Sequence, residues 1–126
     1  MASSRSGEAA RFLPLSPRVF QILLSVLESP RHGYAIITDI RERTRAEMRL
    51  TPSTLYDALG RMLDQRLIEE VDAAPDPSNH DPRRRYYRIT PLGRDVATAE
   101  ARRLERLIEM ARDKQLLPTG RGRGPR

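Results

Sequence analysis

Three helix starts that place a hydroxyl residue directly before a proline, two short β-prone stretches around a proline-rich interruption, and a long last helix with a coiled-coil seam predict a mainly α chain with a small β-wing. In full, the expected architecture is a winged helix-turn-helix domain of three helices and a two-stranded antiparallel hairpin, followed by a long C-terminal dimerisation helix. The expected boundaries are a disordered N-terminal segment over 1–13, the winged domain over 14–90, the dimerisation helix over 91–116 and a disordered Gly/Pro/Arg tail over 117–126.

Ser16 supplies a side-chain cap and Pro17 a preset first turn, so a first helix runs to about Leu27. Phe20, Leu23, Leu24 and Leu27 share one helical face, and Val19, Ile22 and Val26 widen it until only Arg18, Gln21, Ser25 and Glu28 stay polar. Such an arc is wider than one small core needs. The helix is therefore either central in its own domain or covered on a second side by another chain, and the second reading assigns Val19, Ile22 and Val26 to a dimer interface.

Pro30 to Gly33 interrupts the pattern, and Ile36, Ile37 and Ile40 resume it in a second helix over Tyr34 to Thr44. Met48 and Leu50 alternate with Glu47 and Arg49, which suggests a brief strand. Thr51 and Pro52 open a third helix that ends near Gln65. From Leu67 to Val71 and from Arg84 to Ile89 the chain is β-branched or aromatic, while Pro75, Pro77 and Pro82 between them cannot join a regular ladder. These stretches form a two-stranded wing with a long mobile tip. Thr90 and Pro91 open the last helix, which reaches about Gln115. Its Ala97, Ala101, Leu104, Ile108 and Ala111 step by 4, 3, 4 and 3, the spacing of a seam that a partner helix must cover, so these five complete the expected dimer interface.

With 126 residues the chain has room for one domain and a small core. A formal charge of +6 points to a polyanionic partner, and all 23 basic residues except Lys114 are arginine, whose planar fork suits phosphates and guanine edges. The absence of cysteine excludes disulfides, thiolate zinc sites and cysteine nucleophiles. No apolar run approaches the ~18 residues that span a bilayer, and residues 1 to 13 lack the apolar middle of a secretion signal, so a cytoplasmic location without membrane contact is expected. No cofactor or metal is expected either. His80 has no second metal-binding group at suitable spacing, and the chain has no HExxH, no GxSxG and no glycine-rich phosphate loop after a strand, which argues against an enzyme.

The third helix carries Leu55, Ala58, Leu59 and Met62 on one side and Ser53, Thr54, Asp57, Gly60, Arg61 and Asp64 on the other, with Tyr56 at the border. In a helix-turn-helix the second helix of the motif enters the major groove by its N-terminal end, which places Ser53 and Thr54 nearest base edges and phosphates. Arg61 could reach guanine or backbone, and Asp57 could accept from cytosine N4. The wing adds Arg83, Arg84, Arg85 and Arg88, a charge of +4 over six residues that repels itself unless it is solvated or faces phosphates. Within the return strand Tyr87 and Ile89 share the face that packs on the third helix, while Tyr86 and Arg88 point the other way. The Arg-rich tail after Pro118 could touch phosphates nonspecifically.

The HGY at His32 to Tyr34, the run TPSTLYDALGRMLDQRLIE from Thr51 to Glu69 and the run RRYYRITPLGR from Arg84 to Arg94 resemble the PadR family of bacterial winged-helix transcriptional regulators. The resemblance covers roughly Leu15 to Ala111 and is to the compact members with a single C-terminal helix. It implies a homodimer on a pseudo-palindromic operator of double-stranded DNA, usually acting as a repressor. It also implies a DNA-facing role for Ser53, Thr54 and Tyr56. Through the HGY turn it sets Tyr34 near a phosphate, or alternatively in a packing role, leaves His32 to brace the turn, and gives Gly33 the role of close backbone approach. Some compact members hold flat hydrophobic drugs with tryptophan; this chain has none, so that device is not carried over. A small-molecule effector at the dimer interface is expected without an identity. The competing reading is a winged-helix protein-interaction module without sequence-specific DNA binding, which the acids of the reading face and wing favour.

Overall fold

The computed structural model describes residues 7–72 and 85–118. Four helices and three strands follow in the order α1 (Pro17–Ser25), β1 (Arg31–His32), α2 (Gly33–Arg43), α3 (Pro52–Asp64), β2 (Ile68–Val71), β3 (Tyr86–Ile89) and α4 (Pro91–Asp113). The three cap-plus-proline starts are all realised. Ser16 Oγ accepts from the Val19 N–H at 3.2 Å, Thr51 Oγ1 from Thr54 at 3.1 Å and Thr90 Oγ1 from Gly93 at 2.9 Å, each satisfying a donor that the first helical turn would leave orphaned. A fourth cap is a histidine: His32 Nδ1 accepts from the Ala35 N–H at 3.2 Å and opens α2.

Helices α1 to α3 enclose one core in which Ile22, Leu23, Ile36, Ile40, Leu55, Leu59 and Met62 are shut from solvent, joined by Leu67, Ile68 and Val96 from the wing and α4. Burying each such side chain stabilises the fold by about 1.5–3 kcal/mol before entropy is set against it. The sheet is antiparallel with order β1-β3-β2, and Ile68 lies opposite Ile89 while Val71 lies opposite Tyr86. Its third strand was not expected. Arg31 and His32 pair with Tyr87 and Tyr86, so the edge of β3 that a two-stranded wing would leave open is covered by the link between α1 and α2.

That extra strand changes the fate of Tyr86. Tyr86 was expected to point away from the packed face, yet it is buried along with Tyr87, because the His32 ring meets it edge-on at 5.5 Å with an interplanar angle of 82°. The brief strand suggested around Met48 and Leu50 does not form. Those residues follow a turn in which Arg45 and Ala46 take left-handed φ values of 53° and 66°, and Met48 and Leu50 pack on the core as a cap for the hydrophobic cluster.

Residues 7–13, expected to be loose, instead contain a helical turn over residues 7–10. Ala9 is buried in the core cluster, and Phe12 and Leu13 pack against it. A second correction concerns α1. Ile22 and Val26 were assigned to a partner chain, but both are fully buried inside their own domain, while Val19 is half-buried against the same core. The wide apolar arc is explained by centrality: α1 has α2 on one side and α4 on another. Ala97 is likewise buried within the subunit, because α4 packs on the domain for its first three turns before leaving it.

Helix α4 is anchored at its start by a close approach. A Cβ on Gly93 would stand 2.1 Å from the Leu67 carbonyl oxygen, and that oxygen accepts from the Thr90 N–H at 3.1 Å, while the Thr90 hydroxyl donates its one hydrogen to the nearer Arg66 carbonyl at 2.6 Å. Further along, Glu100 is buried, and its carboxylate accepts from Arg103 Nε at 2.9 Å, Arg103 Nη2 at 2.7 Å and the Leu15 N–H at 3.3 Å. The Arg103 hydrogen bonds hold this carboxyl below the usual glutamate range against the opposing push of burial. Among the described residues no helix is long and apolar enough to cross a membrane.

Candidate nucleic-acid interface

The N-terminal half of α3 presents its polar face to solvent because Leu55, Ala58, Leu59 and Met62 turn the other face into the core. Ser53, Tyr56, Asp57 and Arg61 are all exposed. Thr54 is only half-exposed: the Thr51 hydroxyl donates to its Oγ1 at 3.0 Å while accepting from its N–H. Ser53 is thus the more available hydroxyl of the first turn, a distinction the helical wheel does not make. Asp57 and Arg61 form an exposed pair at 3.2 Å one turn apart through one guanidinium nitrogen and one carboxylate oxygen, so each partly offsets the charge that the other brings to this face.

Tyr56 leans on the HGY turn. A Cβ on Gly33 would lie 2.2 Å from the Tyr56 hydroxyl oxygen and 2.6 Å from Cζ, so the missing side chain at position 33 admits the ring of Tyr56. The sequence assigned that close approach to Gly33 without naming what approaches. Tyr34, the next residue, is 68% exposed, which excludes the packing role and leaves its ring available to a partner.

A groove of about 450 Å³ runs between the start of α1 and this face, lined by Ser16, Arg18, Val19, Ser53, Thr54, Asp57, Ala58, Arg61, Met62 and Gln65. Arg18 therefore borders the reading face, although the sequence reading left it as one of the polar remnants of the first helix. Only the assembly of α1 against α3 reveals it.

On the wing, Arg85 and Arg88 are exposed, whereas Arg83 and Arg84 lie outside the described residues, as does His80. Tyr87 and Ile89 point inward as expected and are buried; burial pushes the Tyr87 phenol above its usual range. Among the described residues no group of histidines, cysteines and acids could hold a metal ion.

Of the residues assigned to a dimer interface, Ala101, Leu104 and Ile108 are exposed and Ala111 is half-buried. Leu107 and Met110, which strict seam spacing omits, are 47% and 58% exposed, so the apolar face of α4 beyond the domain is broader than an a/d stripe.

A three-helix unit, a wing behind its third helix and a long terminal helix define a winged helix-turn-helix protein. The profile of the transcriptional regulator PadR-like family matches residues 22–99, more than half of the chain, and the chain belongs to that family. An uncharacterized protein of Lysinibacillus sphaericus is 37% identical over 73 residues, which cover 58% of this chain and 64% of that one. A protein of 37.1 kDa from a Streptomyces fradiae transposon is 33% identical over 86 residues, 68% of this chain and 22% of that one. The chain thus spans less than two thirds of the length of each of these relatives. Among solved structures, a transcriptional regulator from Clostridium thermocellum is similar at 28% identity and a TM-score of 0.61, covering 76% of this chain and 89% of that one. Bacillus subtilis PadR, solved in complex with operator DNA, shares the fold at 17% identity and a TM-score of 0.56, with 68% of this chain and 47% of that one covered.

Proposed function

We propose that this regulator acts as a homodimer that binds double-stranded DNA at a pseudo-palindromic operator and represses transcription there. The observation that carries the reading is the joint exposure of Ser53, Tyr56 and Arg61 on α3, Tyr34 on the neighbouring turn and Arg85 and Arg88 on the wing, on a fold that Bacillus subtilis PadR also has in its operator complex. Ser53, Thr54, Tyr56, Asp57 and Arg61 would read bases, while Tyr34 and the arginines at 83, 84, 85 and 88 would contact backbone phosphates. Dimerisation would set two such surfaces one helical turn apart, through Ala101, Leu104, Ile108 and Ala111 of α4. A small-molecule effector would bind at that interface; a thermal-shift screen with no stabilising compound would count against it.

The test is fluorescence anisotropy with the duplex upstream of the protein's own gene. Binding should weaken steeply with salt, since each phosphate neutralised releases counterions. Replacing Arg83, Arg84 and Arg85 with alanine should weaken binding to all sequences, whereas Ser53→Ala should change site preference. A stable dimer that retards no DNA at low salt would instead be a protein-interaction module.

A further inference from the structure

The described arginines of the wing are paired with acids of the facing strand. Arg88 donates from Nη2 and Nε to Glu69 Oε2 at 2.7 and 3.0 Å, and Arg85 Nη1 donates to Glu70 Oε2 at 3.0 Å. Glu69 stands directly opposite Arg88 in the ladder. Glu70 stands opposite Tyr87 and reaches Arg85 as its diagonal neighbour on the same face. All four side chains are between 43% and 72% accessible. Exposed pairs of this kind contribute little to folding, and the wing is already held by its buried Ile68, Tyr86, Tyr87 and Ile89. Fold stability therefore gives no account of two successive acids placed against these two arginines.

We infer that Glu69 and Glu70 restrain sequence-independent DNA binding by competing with phosphate for Arg88 and Arg85, an inference that rests on the DNA-binding reading above. An arginine that moves from a carboxylate to a phosphate leaves behind an anion, which draws a cation from solution. The cation that the phosphate contact releases, about one per neutralised charge, is then largely taken back. Paired in this way, Arg85 and Arg88 add less to the affinity for arbitrary duplex, and less to its salt dependence, than two unpaired arginines would. Glu69 and Glu70 point to opposite faces of the ribbon, and the carboxylate on the side that the polyanion approaches also repels it. Contacts made by Ser53 and Tyr56 on α3 involve neither pair, so the restraint falls on the sequence-blind part of binding.

The experiment compares the wild-type protein with Glu69→Gln, Glu70→Gln and the double variant, using anisotropy of a labelled duplex of scrambled sequence across a salt series. The double variant should bind about tenfold more tightly at low salt, the product of releasing two exposed pairs. Its slope of log affinity against log salt should steepen by about one to two per subunit, with each single variant giving about half of the change. Should the double variant melt early, the single variants carry the same comparison. Unchanged affinity and slope would overturn the inference, because the acids would not then compete with phosphate. Weaker binding would also overturn it, because the pairs would then be holding the wing in a binding conformation. If the wild type and every variant fail to bind duplex at low salt, the DNA-binding reading itself falls and takes this inference with it.

Discussion

Helix α4 can begin where it does only because position 93 carries no side chain. A Cβ there would fall 2.1 Å from the Leu67 carbonyl oxygen and 3.0 Å from Ile89 Cγ1, and neither atom is at the free end of a flexible side chain. Relieving the overlap means moving the first turn of α4 away from an oxygen to which the Thr90 N–H donates. Gly93→Ala should therefore cost about 1–3 kcal/mol for overpacking and about 1 kcal/mol for the weakened hydrogen bond from the Thr90 N–H. About 0.5–1 kcal/mol is regained by removing a glycine from a helix. The net loss of about 2 kcal/mol lowers Tm by about 8 °C for a chain of this size. The control is Gly33→Ala, where the added Cβ meets the distal end of a half-exposed ring, Tyr56. That ring can swing into solvent, so the fold should lose no more than about 0.5 kcal/mol. Thermal unfolding followed by far-ultraviolet circular dichroism measures both. A Gly93→Ala protein that melts with the wild type, or a Gly33→Ala protein that melts as early as Gly93→Ala, would refute the reasoning.

The buried carboxylate of Glu100 titrates lower in the folded chain than in the unfolded one, so its contribution is present above the usual glutamate range and is lost as pH falls through the lowered value; denaturant titrations from neutral to acid pH should show a smaller acid loss in Glu100→Gln than in wild type. Asp39 acts in the same direction: burial pushes it up, but hydrogen bonds from Ser25 and Arg43 outweigh that and hold it low, so Asp39→Asn should also flatten the acid limb. Ile22→Ala should cost about 2–5 kcal/mol by the same amount at low and high protein concentration, since Ile22 is buried in its own subunit; a penalty that vanished on dilution would return it to an interface. If the chain is the proposed dimer, Leu104→Glu combined with Ile108→Glu should leave circular dichroism of the winged domain intact and give a monomer in sedimentation velocity where the wild type sediments as a dimer; a variant that stays dimeric would remove α4 from the proposed interface, and a monomeric wild type would remove the dimer itself.

Elements whose signals are local were legible in the sequence. Ser16, Thr51 and Thr90 announce their helices through chemistry confined to four residues, and all three cap as expected. Helix ends were legible as well: α3 stops at Asp64 and α4 at Asp113, each within two residues of the expected end, although the left-handed residues that follow, Arg66 and Gln115 with φ of 65° at each, are not glycines. Strand β1 could not be read at all: two residues have no periodicity, and Arg31 and His32 become a strand only because β3 offers them an edge. The same limit applies to the interface. Arg85 and Arg88 could be recognised as cations, but their pairing with Glu70 and Glu69 depends on the register that sets Ile68 against Ile89, and a proline-rich connection of that length does not fix a register from sequence.

The seam of α4 shows most directly what periodicity withholds. Ala97, Ala101, Leu104, Ile108 and Ala111 form one continuous repeat, yet the fold divides it. Val96, Ala97 and Glu100 are buried against the domain, and from Ala101 onward the helix stands in solvent except for half-buried Arg103, Ala111 and Arg112. The division falls where Glu100 takes the Leu15 N–H and Arg103, a polar tie between α4 and the N-terminal segment. A spacing rule states that an apolar stripe must be covered; it does not state by what. The first three turns are covered by the subunit's own domain, α1 included, and the remainder, broadened by Leu107 and Met110, is the exposed part on which the proposed dimer would close.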